Sequence, residues 1–106
     1  MSRITIAHLE GLVNRLNVLT NSPLTYSSRE DGKFKAHVGH YCLDQAASGV
    51  KLQRVVNEGG GVSNPVSMGY ETKKDAYYII SAFVAGVEGM RRLLSADHLE
   101  ALAEIN

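Results

Sequence analysis

The sequence predicts an α+β domain in which a small antiparallel β-meander packs with an N-terminal helix and a long C-terminal helix. Three observations predict it. Apolar residues first recur at helical spacing, the chain then alternates around two turn signals, and a second, longer helical pattern follows a glycine-rich break. The 106 residues fit one domain rather than two, read as residues 1–106.

Ile6, Leu9, Val13, Leu16 and Leu19 form one stripe of a first helix, with Thr5 as its N-cap and Thr20-Asn21-Ser22-Pro23 ending it. Gly11 weakens this helix by roughly 1 kcal/mol relative to alanine, so its stability depends on docking the stripe. Asp31-Gly32 then reads as a type I′ turn that pairs Glu30 with Lys33, Ser28 with Lys35 and Tyr26 with His37. Phe34, Ala36 and Val38 fall on the other, core-facing side. Ser48-Gly49 is the second turn signal, pairing Ala47 with Val50, Gln45 with Leu52, Leu43 with Arg54 and Tyr41 with Val56. Gly39 marks a bulge or bend between the hairpins, and the four strands form one meander. Arg54 falls on the core side, which requires either a subunit interface or a register shifted by one.

Asn57 to Pro65 is too rich in glycine for a stable helix or central strand and reads as a loop. Thr72 and Asp75 form a capping box that opens the longest element, running to about Leu94. Its apolar surface, from Ala76 and Tyr77 to Val87 and Met90, is wider than one small sheet face requires. Packing against another copy of the chain would cover the excess. Ser95 caps a last short helix with Leu99, Leu102 and Ile105 as its stripe.

Eleven Lys+Arg balance eleven Asp+Glu, so the chain lacks the bulk attraction that coating a nucleic-acid polymer or an acidic membrane needs. A single cysteine, Cys42, makes no intramolecular disulfide and fits a reducing cytoplasm. Neither a signal segment nor a membrane-spanning run is expected. His37, His40 and Cys42 have zinc-ligand chemistry, but strand parity separates His37 from the other two and a fourth ligand is missing. Cys42, His40 and Asp44 run parallel along one strand and do not converge as a nucleophilic set. No catalytic residue, metal or cofactor is expected.

The run Asn57-Glu58-Gly59-Gly60-Gly61 is the most unusual feature. Successive glycines let backbone N–H groups approach an anion that a Cβ would hold away, although the same composition also makes an ordinary surface connection. Lys73 and Lys74 stand at a helix start, against the dipole preference for acids there, which fits anion binding. Tyr26, Tyr70 and Tyr77 have faces on which a base could stack, with Tyr77 placed toward the core.

Leu12-Val13-Asn14-Arg15-Leu16-Asn17, Leu19-Thr20-Asn21-Ser22-Pro23, Leu43-Asp44, Val56-Asn57-Glu58-Gly59-Gly60-Gly61-Val62-Ser63 and Phe83-Val84-Ala85-Gly86 follow one another along the chain. In this order the chain resembles a group of small phage proteins, the first family of Thoeris anti-defence proteins. The resemblance implies a cytoplasmic, homo-oligomeric sponge, a dimer or hexamer. Such a protein sequesters cyclic ADP-ribose isomers or cyclic oligonucleotides of the CBASS type without cleaving them. By position, the resemblance makes Asn57 a ligand contact and places Lys74 where the family tends to have arginine, with Asp75 the acid beside it. Ala47 departs from the pattern, because the family carries an aromatic there; losing that platform removes about 1 to 3 kcal/mol of stacking per base. Arg15, Arg54 and Arg92 are candidate cations for a second site. The rival expectations are a phage inhibitor that blocks a host protein through the apolar side of the Tyr77–Met90 helix, and a small nucleotide-destroying enzyme.

Overall fold

A computed structural model describes residues 3–105 of the chain, with side chains described to residue 94. The order is α1 (Ile6–Leu19), β1 (Ser27–Glu30), β2 (Lys33–Ala36), β3 (Tyr41–Ala46), β4 (Gly49–Val55), β5 (Val62–Ser63) and α2 (Lys73–Ile105). The fold is α+β. Its strands divide into an antiparallel β1-β2 ribbon and a three-stranded sheet ordered β3-β4-β5.

Helix α1 starts where its cap dictates. Thr5 Oγ1 accepts the His8 N–H, and His8 Nδ1 accepts the Thr5 N–H in return. Leu9, Val13 and Leu16 are buried against Tyr41, Leu52 and the Ala76, Ile80 and Val84 row of α2. Asn17, on the same face, is also fully buried. Its Oδ1 accepts the Tyr41 N–H at 2.8 Å and its Nδ2 donates to the Tyr41 carbonyl at 3.0 Å. The amide thus stands where a neighbouring strand would, and α1 is bound to the edge of β3.

The first hairpin has the expected register. Asp31 and Gly32 both adopt positive φ, 53° and 74°, as a type I′ turn demands. It does not continue the main sheet, however. The Ala36 N–H donates to the Glu58 carbonyl of the glycine loop, and Phe34 and Val38, expected in the core, are exposed. The ribbon packs on a loop instead of on β3, so only Ala36 of that face is buried.

Between the sheets, Gly39 at φ 97° forms the expected bulge: its N–H donates to the Val55 carbonyl while Val55 donates to the His40 carbonyl. The second hairpin is displaced. Ala46 pairs with Gly49, Leu43 with Leu52 and Tyr41 with Arg54, so the turn is Ala47-Ser48. A two-residue displacement preserves which face each side chain takes. Arg54 therefore remains on the core side, and no subunit boundary is needed to explain it. Its guanidinium lies 4.7 Å from the Tyr41 ring centroid and its Nε donates to the Gly39 carbonyl. Gly49 has a different duty from the one expected. Val50 and Glu71 exchange both backbone hydrogen bonds, and a Cβ on Gly49 would stand 2.4 Å from the Glu71 carbonyl oxygen.

Residues 57–60 form the turn between β4 and the short β5, an element that the sequence reading leaves in a loop. Thr72 caps α2, its Oγ1 accepting the Asp75 N–H. The helix then runs to Ile105 without the break expected at Ser95; the Leu99, Leu102 and Ile105 side chains lie outside the described residues. Arg91 consequently does not stand at a helix end, and it donates instead to the Leu19 carbonyl, capping α1. No helix among the described residues is long and apolar enough to cross a membrane.

Asn17→Leu should lower the stability by about 2 to 4 kcal/mol in urea titration, because both Tyr41 backbone groups lose their partner; a loss under ~1 kcal/mol would show that the clamp is dispensable. Gly11 and Gly49 should respond oppositely to alanine. Gly11 is exposed with nothing near its missing Cβ, so Gly11→Ala should raise stability by roughly 0.5 to 1 kcal/mol. Gly49→Ala should cost at least about 2 kcal/mol, read in the same titration.

Candidate functional site

The triple glycine is an ordered turn. Its Gly60 N–H donates to the Asn57 carbonyl at 3.1 Å and its Gly61 N–H to Asn57 Oδ1 at 2.9 Å. Two of the three glycine N–H groups expected to face a phosphate are thus spent closing the loop, and Gly59 keeps its own. Asn57 has a structural duty at Oδ1, while its Nδ2 forms no hydrogen bond among the described residues. Glycine suits 60, which has φ 98° and lies against the Tyr26 hydroxyl, and a Cβ at 61 would push the Asn57 amide out of the position in which it closes the turn.

The ribbon supplies the rest of this corner. Tyr26 and Phe34 have ring centroids 6.1 Å apart and are both partly exposed, with Phe34 also alongside Gly60. Lys35 Nζ lies 3.8 Å from Glu58 and 3.6 Å from Glu30. The loop is therefore bounded by two aromatic rings, one ammonium shared by two exposed carboxylates, and the Asn57 amide. Lys35 and Phe34 are absent from the sequence-level candidates, because Phe34 reads as core and one lysine in an alternating ribbon reads as solvated surface.

The remaining candidates stand elsewhere. Ala47 occupies the β3–β4 turn and lines a hollow with Thr72 and Lys73. Lys74 and Asp75 are exposed in the first turn of α2. Strand β4 separates that end from the glycine loop, and its seven residues span about 20 Å. Arg54 is committed to Tyr41 and Gly39. Arg15 and Arg92 both pair with Glu88. One copy of the chain thus gathers Asn57, Glu58, Gly59, Gly60 and Gly61 at one end of the sheet and Ala47, Lys74 and Asp75 at the other. No known family model, curated protein or solved structure matches the chain.

The residues with metal or nucleophile chemistry are held in other ways. His37 Nδ1 donates to the Thr25 carbonyl and its Nε2 accepts from Ser28, knitting the ribbon together. His40 is buried with Nδ1 2.8 Å from the Pro23 carbonyl, which can only accept, so that nitrogen carries the proton. No group of three or more His, Cys, Asp or Glu among the described residues is placed to hold a metal ion. Burial first, and the Asp44 charge second, push the Cys42 thiol above its usual range. Tyr70 donates to Asp44 and its ring carries the Lys51 ammonium at 4.7 Å. That hydrogen bond, with burial and the Asp44 charge adding to it, raises the Tyr70 phenol.

Because folding raises the Cys42 thiol, its contribution to stability is complete below the unfolded-chain thiol range and is lost as pH rises through the folded one. Alkylation of the native protein by iodoacetamide should accordingly show an inflection at higher pH than in the urea-unfolded chain. Asp44→Asn should move the inflection only part of the way back, since burial is the larger cause; complete reversal would contradict that order.

Proposed function

We propose that the protein is a non-enzymatic sponge that binds a cyclic nucleotide signal at the glycine-loop corner and releases it unchanged. The observation that carries this reading is the closed Asn57–Gly61 turn set against Tyr26 and Phe34, with Lys35 beside it. A base stacks on the aromatic pair, which compensates for the missing aromatic at Ala47; stacking of this kind is worth about 1 to 3 kcal/mol per base. Asn57 Nδ2 donates to base, ribose or phosphate, and Gly59 N–H and Lys35 face the phosphate. The resemblance to the first family of Thoeris anti-defence proteins supports the same class of ligand, cyclic ADP-ribose isomers or cyclic oligonucleotides. It also supports a location in the cytoplasm of a phage-infected bacterium. Sequestration follows mass action: the sponge is abundant and binds the signal more tightly than the effector does.

The separation of Lys74 and Asp75 from Asn57 adds a requirement. If Lys74 contacts the same ligand, it comes from a second copy, which accords with a homo-oligomer. Tyr78, Met90, Leu93 and Leu94 are exposed along α2 and offer apolar surface for such an assembly.

Incubation with candidate cyclic nucleotides, heat denaturation and mass analysis of the supernatant tests the reading. Intact nucleotide should be recovered. Altered nucleotide would establish an enzyme, and absence of capture would favour an inhibitor acting through the α2 surface. Asn57→Asp keeps the acceptor that closes the turn but replaces the donor with a negative charge. It should weaken capture at least about tenfold, roughly 1.4 kcal/mol, as should Lys35→Glu, with melting temperatures nearly unchanged.

A further inference from the structure

A second recognition surface lies on the other side of the sheet, along the free edge of β3. In the β3–β4 ladder, His40 bonds to Val55, so the inward-bonding residues of the edge strand are those at even positions. The N–H and C=O groups of Tyr41, Leu43 and Gln45 therefore point away from β4. The Asn17 amide takes both Tyr41 groups. Two residues further on, the same pair on Leu43 has no hydrogen-bond partner among the described residues, and neither has the pair on Gln45. These groups border a groove of about 280 Å³ between the strand and α1, where Glu10, Val13 and Asn14 form the facing wall and Leu24 closes one end.

Asn17 shows what this edge recognises: a planar group with an acceptor beside a donor, seated bidentately on one residue's backbone. A nucleobase edge, such as N1 and the 6-amino group of adenine, carries that same acceptor–donor pair. The volume lies just below the range of about 300–1,000 Å³ typical of sites for whole drug-sized ligands, so a single ring system fits better than an entire dinucleotide. Val13 and Leu43 supply apolar walls for the ring. Glu10 is the one charged carboxylate in the lining and no lysine or arginine joins it. The groove is thus built for a neutral ring and not for phosphate, unlike the glycine-loop corner.

We propose that the groove between α1 and the free edge of β3 is a nucleobase site, in which the Leu43 N–H donates to a ring nitrogen and the Leu43 carbonyl accepts from an exocyclic amine. This stands apart from the sponge reading, since it concerns other residues and an uncharged ligand. The probe is adenosine, titrated into the ¹⁵N-labelled full-length protein. The Leu43 and Gln45 amide resonances should shift saturably, with a Kd that Asn57→Asp in the glycine loop leaves unchanged. N6,N6-dimethyladenosine, which lacks the donor, should bind about tenfold more weakly, the effect of one hydrogen bond. Asn14→Phe, at an exposed helix position lining the groove, should abolish the shifts without changing the melting temperature. Equal affinity for the two nucleosides, shifts confined to the glycine loop, or no shifts at millimolar adenosine would overturn the proposal. So would Leu43 and Gln45 amides that respond to protein concentration alone, since a second copy would then occupy the edge.

Discussion

The bidentate bond between the Asn17 amide and the Tyr41 backbone is the constraint on which the architecture turns. An edge strand begins with unpaired donors and acceptors, and a buried one cannot leave them so. Here a helix side chain caps the first residue of the edge strand, which fixes α1 against the start of β3 and leaves the edge free further along. The same contact holds the Tyr41 ring between Arg54 on one side and the edge of Phe83, at 6.3 Å, on the other. Arg54 in turn ties the ring to the Gly39 bulge. A single amide therefore links α1, the start of β3, the bulge and, through Phe83, α2. An aspartate in its place would lose the donor and bury a charge; a leucine would lose both bonds.

Glycines do most of the remaining positional work, and for unlike reasons. Gly32 and Gly39 supply backbone angles, Gly49 clears space for the Glu71 peptide, and Gly61 clears space for the Asn57 side chain. Their common result is that both ends of β4 are tight: one is locked to the start of α2, the other to the glycine turn and the ribbon. A seven-residue strand between them keeps Lys74 and Asn57 apart within one copy. This is why the positions aligned by the family resemblance do not make a single pocket in one chain, whereas Tyr26 and Phe34 border the turn at Gly60 and Lys35 borders it at Glu58.

Much of this was legible in the residues, and the exceptions have physical causes. Both helices follow from apolar periodicity and their threonine caps, and Asp31-Gly32 fixes the first hairpin because few other pairs adopt two positive φ angles cheaply. Ser48-Gly49 misleads for the opposite reason: Gly49 answers to a peptide more than twenty residues away, and local turn chemistry carries no trace of that demand. The error is two residues, an even number, so the faces of β3 and β4 survive it. The duty of Asn17 has no local signal, since its partner lies on β3, and Asn57 reads as a ligand contact although one of its atoms closes its own loop. The detachment of the ribbon depends on the Ala36–Glu58 bond, a pairing between a strand and a loop that no periodicity encodes.

The distribution of chemically active groups bears on what kind of function the fold can host. Catalysis by acid, base or nucleophile needs a group free to exchange a proton or attack, held near its working pKa. His37 has both ring nitrogens engaged, His40 donates its Nδ1–H to the Pro23 carbonyl, Asp44 accepts from Tyr70, and burial pushes the Cys42 thiol above its usual range. What is left around the glycine turn and along the β3 edge is of another kind: amides, one ammonium, aromatic faces and fixed peptide dipoles. On the proposed function, such groups would hold a nucleotide through hydrogen bonds, stacking and charge and leave its covalent bonds intact. A neutral chain that bound its ligand with oriented dipoles instead of accumulated charge would also escape competition from nucleic-acid polymers, which are drawn to a basic surface. On that same proposal, selectivity for a small messenger over the polymers built from the same units would rest on how the turn and the ribbon are placed, not on charge.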